Sequence, residues 1–564
     1  MPRPPEAAAR PDPDPNSATA TATATDTDTD TDTASLSALA PLRHPVFRML
    51  WTTWLVANVG MWISDVAAAW MMTSLTTAPI WVALVQTAST LPVFLLGLPS
   101  GALADILDRR RYFIFTQFWV AGVATLMCVV LLSGRMTPAL LLALTFANGI
   151  GLALRWPVFS AIVPELVPRA QLPAALALNG VATNASRIAG PIIAGAVIAS
   201  AGSVWVFVLN AVLSLICGCV IMRWQRAHVP HPLGRESLVG AMRVGLQFVR
   251  QSRPVKASLL RTAVFFFHST ALLALLPLIA RDLGGSAATF TLLLAAMGAG
   301  AIAAALLLPR LRRAISMDGL VLYAALLHSV TMIAVALSHH VWLSAVAMCL
   351  SGMAWIAAAN PLSVSVQLAL PDWVRARGMS MFQMAIMGAG ALGAALWGQV
   401  ATVSSIQASL TIAALSGALA MRLAHRMVAG HSGEEDLTPS HELAVPVVAS
   451  PPAGGQVQLT IEYRIAPERA GDFLPLMQES RRRRLGQGAL RWSLLRDIAD
   501  PACYVEQIVD ASWTEHLRRF ERVTAADIAL RERKLAFHVG VAAPLVTRRV
   551  VEILDSVAAL PRTV

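Results

Sequence analysis

The sequence predicts an all-α membrane protein, twelve transmembrane helices in two six-helix repeats, followed by a small cytoplasmic α+β domain with a ferredoxin-like plan. Three observations predict it. Hydrophobic residues make up 56% of the 564 positions and charged residues only 14%, whereas a soluble domain carries about 45–50% apolar and about a quarter charged residues. Apolar stretches long enough to cross a bilayer, which takes about 20 residues, recur twelve times with one long polar interruption after the sixth. Beyond Arg426 the periodicity changes to the strand and helix patterns of a soluble unit.

Residues 1–42, rich in Pro and Ala with a Thr-Asp alternation from Thr25 to Thr33, lack large apolar side chains and read as a disordered tail. No basic start, apolar core and small-residue cleavage site follow one another there, so the N-terminus is expected in the cytoplasm. The first half, 43–222, holds spans near 48–72, 80–104, 112–133, 138–160, 175–200 and 203–222. A cytoplasmic central loop over 223–261 leads to the second half, 262–429, with spans near 262–281, 287–309, 319–338, 341–369, 378–401 and 406–428. A linker over 430–455 precedes the soluble domain, 456–564.

Basic residues alternate from loop to loop. Arg109, Arg110, Arg111, Arg169, the central loop, Arg310, Arg312, Arg313, Arg375 and Arg377 fall on one side, with little beyond Arg135 and Arg281 on the other. That asymmetry orients insertion and places both termini in the cytoplasm. It also accounts for the net charge of +11 by topology, so no nucleic-acid partner is expected. The halves echo one another: Gly149 to Pro157 and then Pro168-Arg169 matches Gly352 to Pro361 and then Pro371 and Arg375. Gly101 ahead of Arg109–Arg111 matches Gly300 ahead of Arg310–Arg313. Parallel repeats of this kind place a substrate path between the halves near mid-membrane.

Ionisable groups inside spans are costly and mark a cavity or a partner. Asp65, Arg155 and Arg187 are the candidates. Asp65 could take a proton or a cationic substrate; the two arginines could meet a carboxylate or an anionic substrate, or tie helices together. Asn58, Asn184, Gln367 and Gln383 are candidate polar cavity contacts, while His268 and His328 read as packed. Tryptophans and methionines read as interfacial anchors and adaptable packing. The five cysteines are scattered and predict neither disulfide nor metal site; no catalytic set and no cofactor is expected.

Four segments carry a resemblance. Gly101-Ala-Leu-Ala-Asp105-Ile-Leu-Asp108-Arg109-Arg110-Arg111 resembles the loop signature of the major facilitator superfamily, with Ile106 and Asp108 departing from it. Gly101 would let helices approach, Asp105 would meet a helix end or a base, and Arg109 and Arg110 would hold the loop at the anionic surface. This is a charge set that can be made in one state and broken in another. Ser186-Arg-Ile-Ala-Gly190-Pro191-Ile-Ile-Ala-Gly195 resembles that superfamily's exporter-associated signature: small residues for a tight helix pair and a proline to bend it. The signature arginine of the fourth span is missing at Thr145. Pro164-Glu165-Leu166-Val167-Pro168-Arg169 and Leu172 to Asn179 are similar to the branch containing the enterobactin exporter and the transmembrane secretion effectors. The resemblance implies export of a drug, siderophore or other secondary metabolite, driven by protons, from the inner membrane.

In the soluble domain, Gln456–Ile465, Arg491–Ile498 and Tyr504–Val509 alternate like strands, and Pro467–Arg484 and Ser512–Phe520 read as helices. Ala489-Leu-Arg491-Trp492 and Ser512-Trp513-Thr-Glu515-His516 resemble the tail of that branch, itself similar to small monooxygenases, which implies His516 or His538 as a conceivable base. A regulatory or dimerising module is the first expectation; a membrane-tethered enzyme or a secretion adaptor is the alternative.

Overall fold

In the computed structural model the described residues are 39–552, apart from 169–170, 226–237, 429–434 and the single positions 441, 447, 449, 451 and 453. The expected disordered tail, all but its last four positions, therefore lies outside the described residues, as do the first residues of the linker and the last twelve of the chain.

The first half contains α1 (Pro45–Leu75), α2 (Pro79–Ile106), α3 (Arg109–Leu132), α4 (Pro138–Leu166), α5 (Leu172–Ala201) and α6 (Ser203–Met222). A connecting helix, α7 (Leu238–Gln251), leads to α8 (Arg253–Asp282), α9 (Ala287–Ala314), α10 (Met317–Leu337), α11 (Val341–Leu368), α12 (Asp372–Val403) and α13 (Ile406–Val428). All but α7 are long and apolar enough to cross a membrane, twelve among the described residues. The stretch expected as a loop over 223–261 thus holds a helix and the first turns of another. Proline opens α1, α2 and α4 at the position where its missing N–H costs nothing. Asp108, Thr137, Ser252, Ser286 and Ser316 accept a backbone N–H at their helix starts. Between α5 and α6 the chain reverses on Gly202 alone, at φ 93°, which a side chain would oppose.

The packing repeats. In the first half α1 lies against α5 and α6, α2 against α4, and α3 against α6; in the second α8 lies against α12 and α13, α9 against α11, and α10 against α13. The halves meet along α2–α12 and α5–α9. Glycines set the crossings. A Cβ on Gly149 would stand 2.6 Å from the Ser89 carbonyl oxygen of α2, and one on Gly352 would stand 1.9 Å from the Met297 carbonyl oxygen of α9. The expected match of these two glycines is thereby a match of contacts. The pairing of Gly101 with Gly300 fails: Gly300 presses on the Cys349 carbonyl of α11, while a Cβ on Gly101 would meet nothing within 4 Å.

A second matched pair escaped the sequence reading. Gly190 of α5 backs onto Trp62 of α1 and Gly393 of α12 onto Phe267 of α8. Five residues later Gly195 meets Thr291 of α9 and Gly398 meets Ala83 of α2, each in the other half. Large apolar side chains such as Leu306, Trp342, Leu415 and Leu419 are exposed on the outer faces, where lipid replaces water as their solvent.

The tail domain is β1 (Gln456–Arg464), α14 (Ala470–Gly486), β2 (Arg491–Arg496), β3 (Cys503–Asp510), α15 (Trp513–Glu521), α16 (Ala525–Leu535) and β4 (Leu545–Val551). Its antiparallel sheet has the order β2-β3-β1-β4, the ferredoxin-like plan with two helices in place of one before the last strand. Tyr463, Phe473, Met477 and Tyr504 form its core between sheet and helices. The domain docks on α7: α14 packs along it, Gln247 Nε2 donates to the Ala489 carbonyl at 3.4 Å, and Val244 is buried against Gly488. Arg522 lies 5.5 Å over the ring of Trp373 in the first turn of α12, and Phe248 of α7 meets that ring edge-on.

Candidate functional site

Arg187 lies at the middle of α5, where its guanidinium stands 4.8 Å from the Trp355 ring of α11 and 5.7 Å from the Trp62 ring of α1. One indole comes from each half, so the cation bridges the interface at the middle of three helices. No hydrogen bond or ion pair to Arg187 occurs among the described residues. Arginine at the centre of a span costs about 2.5–3.5 kcal/mol even on insertion scales, and a desolvated cation–π contact returns about 2 kcal/mol or more. The indoles therefore keep the charge in place without neutralising it, and its N–H edge remains available to an anion.

Trp355 is itself fixed. It packs edge-on against Phe265 and Phe266, and beside His328, whose Nδ1 lies 3.0 Å from the Ser351 hydroxyl. Trp62 and Trp355 were read as anchors, and the structure corrects that. An interfacial anchor belongs near a helix end, and the mid-helix position of both was the signal that could have found them.

Asp65 shares the Trp62 face of α1, one turn on, and both its carboxylate oxygens accept from the Ser89 hydroxyl of α2 at 3.0 Å. No cation pairs with it among the described residues. Arg155 lies elsewhere. It is 2% exposed and donates to the Ala57 carbonyl at 3.1 Å and to Asn58 Oδ1 at 3.5 Å, with its guanidinium 5.3 Å from the Trp54 ring. These contacts tie α4 to α1 within the first half, which makes Arg155 and Asn58 a helix clamp. Asn184 and Gln367 are exposed and bond within their own helices, to the Gly180 carbonyl and to Ser363, and Gln383 is half-buried in α12.

In the loop motif, Arg109 pairs with Glu165 at 2.6 Å and Arg110 donates to the Met222 carbonyl, drawing the α2–α3 turn onto α4 and α6. Gly101 makes no close helix approach, and the side chain of Asp105 lies outside the described residues. In the exporter-type motif, Ser186 donates to the Ala182 carbonyl at 2.7 Å and reaches the Leu55 carbonyl of α1, and Pro191 sits inside an unbroken helix. The close contacts of Gly190 and Gly195 are those described above.

Several contacts between halves lie at mid-height or toward the end away from the arginine loops, and Gly97 of α2 opposes Met384 of α12 nearer the basic end. Arg281 donates to the Thr73 carbonyl at 2.7 Å, the Ile80 N–H to Thr402 Oγ1 at 3.0 Å and Thr87 to the Ala391 carbonyl at 2.9 Å, and Trp70 stacks on Phe290. Toward the basic end, Leu176, Gly180, Val181 and Asn184 of α5 and Asn360 and Gln367 of α11 are exposed.

The oxygenase expectation for the tail meets a filled interior. Glu506, fully buried, accepts from Ser480, Trp492, Tyr463 and Lys534 at 2.8–3.1 Å. Burial acts to raise its carboxyl, but the charges of Lys534 and Arg484 and the bonds from Trp492 and Ser480 outweigh it and hold the group below the ordinary range. His516 faces Asp510 at 2.7 Å through Nδ1 and accepts from Arg548 at 3.2 Å through Nε2. His538 accepts from the Arg464 N–H and faces the Ala542 carbonyl. Both nitrogens of each ring are engaged, so neither imidazole has a free lone pair to act as a base.

A sequence model of the family described as transmembrane secretion effector matches residues 36–556, tail included. A staphyloferrin A transporter of Staphylococcus aureus is 23% identical over 64% of this chain and 90% of its own length, and an enterobactin exporter of Salmonella typhimurium is 24% identical over 65% and 89%. A macrolide efflux protein of Streptococcus pyogenes is 26% identical over 42% of this chain, which spans 59% of that relative. Among solved structures, an inward-facing bacterial homologue of the lysosomal transporter spinster superposes with a TM-score of 0.54 at 14% identity, over 69% of this chain and 96% of that one. A nucleoside transporter gives 0.56 at 12%, over 68% and 100%. These relatives are transporters and not enzymes. The chain is a multi-pass membrane transporter of the major facilitator superfamily and belongs to its transmembrane secretion effector family.

Proposed function

We propose that this chain exports a small organic anion across the bacterial inner membrane by alternating access, loading from the basic end, which faces the cytoplasm together with both termini. The observation that carries the reading is Arg187, an uncompensated cation between one indole of each half. A carboxylate or phenolate approaching its N–H edge would relieve the cost of the buried charge while an aromatic or apolar body packed on the tryptophans. The siderophore relatives support the class, and the exporter and efflux proteins among the relatives support the direction. Asp65, held among the described residues by Ser89 alone, is the group we assign to proton coupling.

The test compares two dyes in cells expressing the chain: fluorescein, an aromatic anion, and ethidium, an aromatic cation. Energy-dependent efflux of fluorescein, lost in Arg187→Gln at unchanged membrane abundance, is the expected outcome. Efflux of ethidium alone would reverse the assigned charge, and equal fluorescein efflux in the variant would remove Arg187 from the site.

A further inference from the structure

The helix layer of the tail contains a second concentration of positive charge, far from the transport path. A largely enclosed cavity of about 20 Å³ lies between α14 and α16 under Leu443 of the linker and Val523. That is room for a water or two or for the head of one small oxyanion.

Its wall is cationic beyond what its acids neutralise. Arg483 is engaged by Glu435 and Glu479 at 3.2 Å and by Asp527 at 3.6 Å. Arg484 and Arg531 also line the cavity and their side chains have no hydrogen bond or ion pair among the described residues, although the charge of Arg484 is felt by Glu506, Asp510 and Lys534. Lys534 uses two of its three N–H groups, on Ser480 Oγ at 3.0 Å and Glu506 Oε2 at 3.1 Å. One donor remains. Burial pushes its ammonium below the ordinary range, Glu506 pulls it up, and Arg484 adds to the downward push, as expected beside unneutralised positive charge. The linker is bonded into the roof: the N–H of Ser440 donates to the Val523 carbonyl, and those of Ala525 and Ala526 donate to the carbonyls of Thr438 and Asp436.

We propose that this cavity is a binding site for a small oxyanion, a free phosphate or the carboxylate end of a cytoplasmic metabolite, held by Arg484, Arg531 and Lys534. Two arginines and an ammonium lining a site for one anionic group would supply the charge-assisted bonds such a group needs. The roof residue Val523 follows Arg522, which lies over Trp373 of α12, so the site adjoins the junction between tail and transport domain. This site is separate from Arg187, and its test does not depend on the transport reading.

The full chain, purified in a maltoside detergent that carries no phosphate, is titrated calorimetrically with inorganic phosphate at constant ionic strength. Saturable binding of one phosphate per chain is expected, weakened about tenfold or more in both Arg484→Gln and Arg531→Gln. It should be unchanged in Arg496→Gln, whose side chain bonds the Pro501 carbonyl at the far end of β2. If Arg484→Gln cannot be purified, Arg531→Gln decides alone, because Arg531 is exposed and its loss leaves the core intact. Absence of saturable heat in the unaltered chain, or weakening short of tenfold in the purified variants, overturns the proposal.

Discussion

Arg187 and Arg155 show how little a charged residue in an apolar stretch says about its role. Both are arginines at the middle of a span, and both lean on a tryptophan. What separates them is direction: Arg155 turns its N–H groups onto a carbonyl and an amide of α1, whereas Arg187 turns toward the seam between halves. Removal should therefore differ in kind. Arg187→Lys keeps the charge but loses the flat contact with the indoles and the forked donor edge, so fluorescein efflux should fall at least tenfold at normal abundance. Arg155→Met should lower the amount of folded protein in the membrane, read by detergent-solubilised size exclusion. Asp65→Asn keeps the bond to Ser89 and removes the proton site. Efflux driven by a pH gradient in inverted vesicles should drop while Arg187-dependent binding persists, and unchanged gradient-driven efflux would return Asp65 to a structural role.

At the scale of elements, the helices were legible because apolar length and basic loops are one-dimensional signals. Helix ends were less so: α8 and α12 start several residues before their apolar cores because Pro254 and Asp372 favour the first turn regardless of hydropathy. The glycine crossings were half legible. Gly149 and Gly352 were paired correctly from the sequence, but Gly393 and Gly398 lie among many small residues, and only the neighbouring helix distinguishes them. A Cβ at Gly352 would stand 1.9 Å from a backbone oxygen that cannot yield, so Gly352→Val should abolish folded expression. Gly101→Val, in open space, should leave it near normal, measured by fluorescence-detected size exclusion. The docking of the tail rests on a small apolar contact. Val244→Asp buries a carboxylate against Gly488, which should free the tail to limited proteolysis without altering the membrane domain.

For the whole molecule, reporter fusions after Arg253 and after Arg426 should both signal cytoplasm, as the arginine asymmetry requires. The tail, residues 435–564, should fold alone. Its stability should be acid-sensitive because the folded Glu506 carboxyl titrates below its ordinary value of 4.5. The contribution is present above about pH 4.5 and lost as pH falls through the lower folded value. Glu506→Gln should flatten that limb in a thermal melt followed by circular dichroism. Sedimentation of the same fragment tests whether the open face of its sheet pairs two copies.

The sequence by itself determined that this chain crosses a membrane twelve times, that its halves repeat, that a ferredoxin-like tail follows, and which ionisable residues lie in spans. These properties follow from local composition and period, which a linear chain carries in full. Only the tertiary structure decided that Arg187 meets Trp62 and Trp355 while Arg155 is a clamp, that α7 and Trp373 receive the tail, and that Arg484 and Arg531 line one cavity. Each of those depends on which faces of distant helices oppose one another. Such a relation is set by glycine crossings and buried contacts across hundreds of residues, and no period in the sequence encodes it.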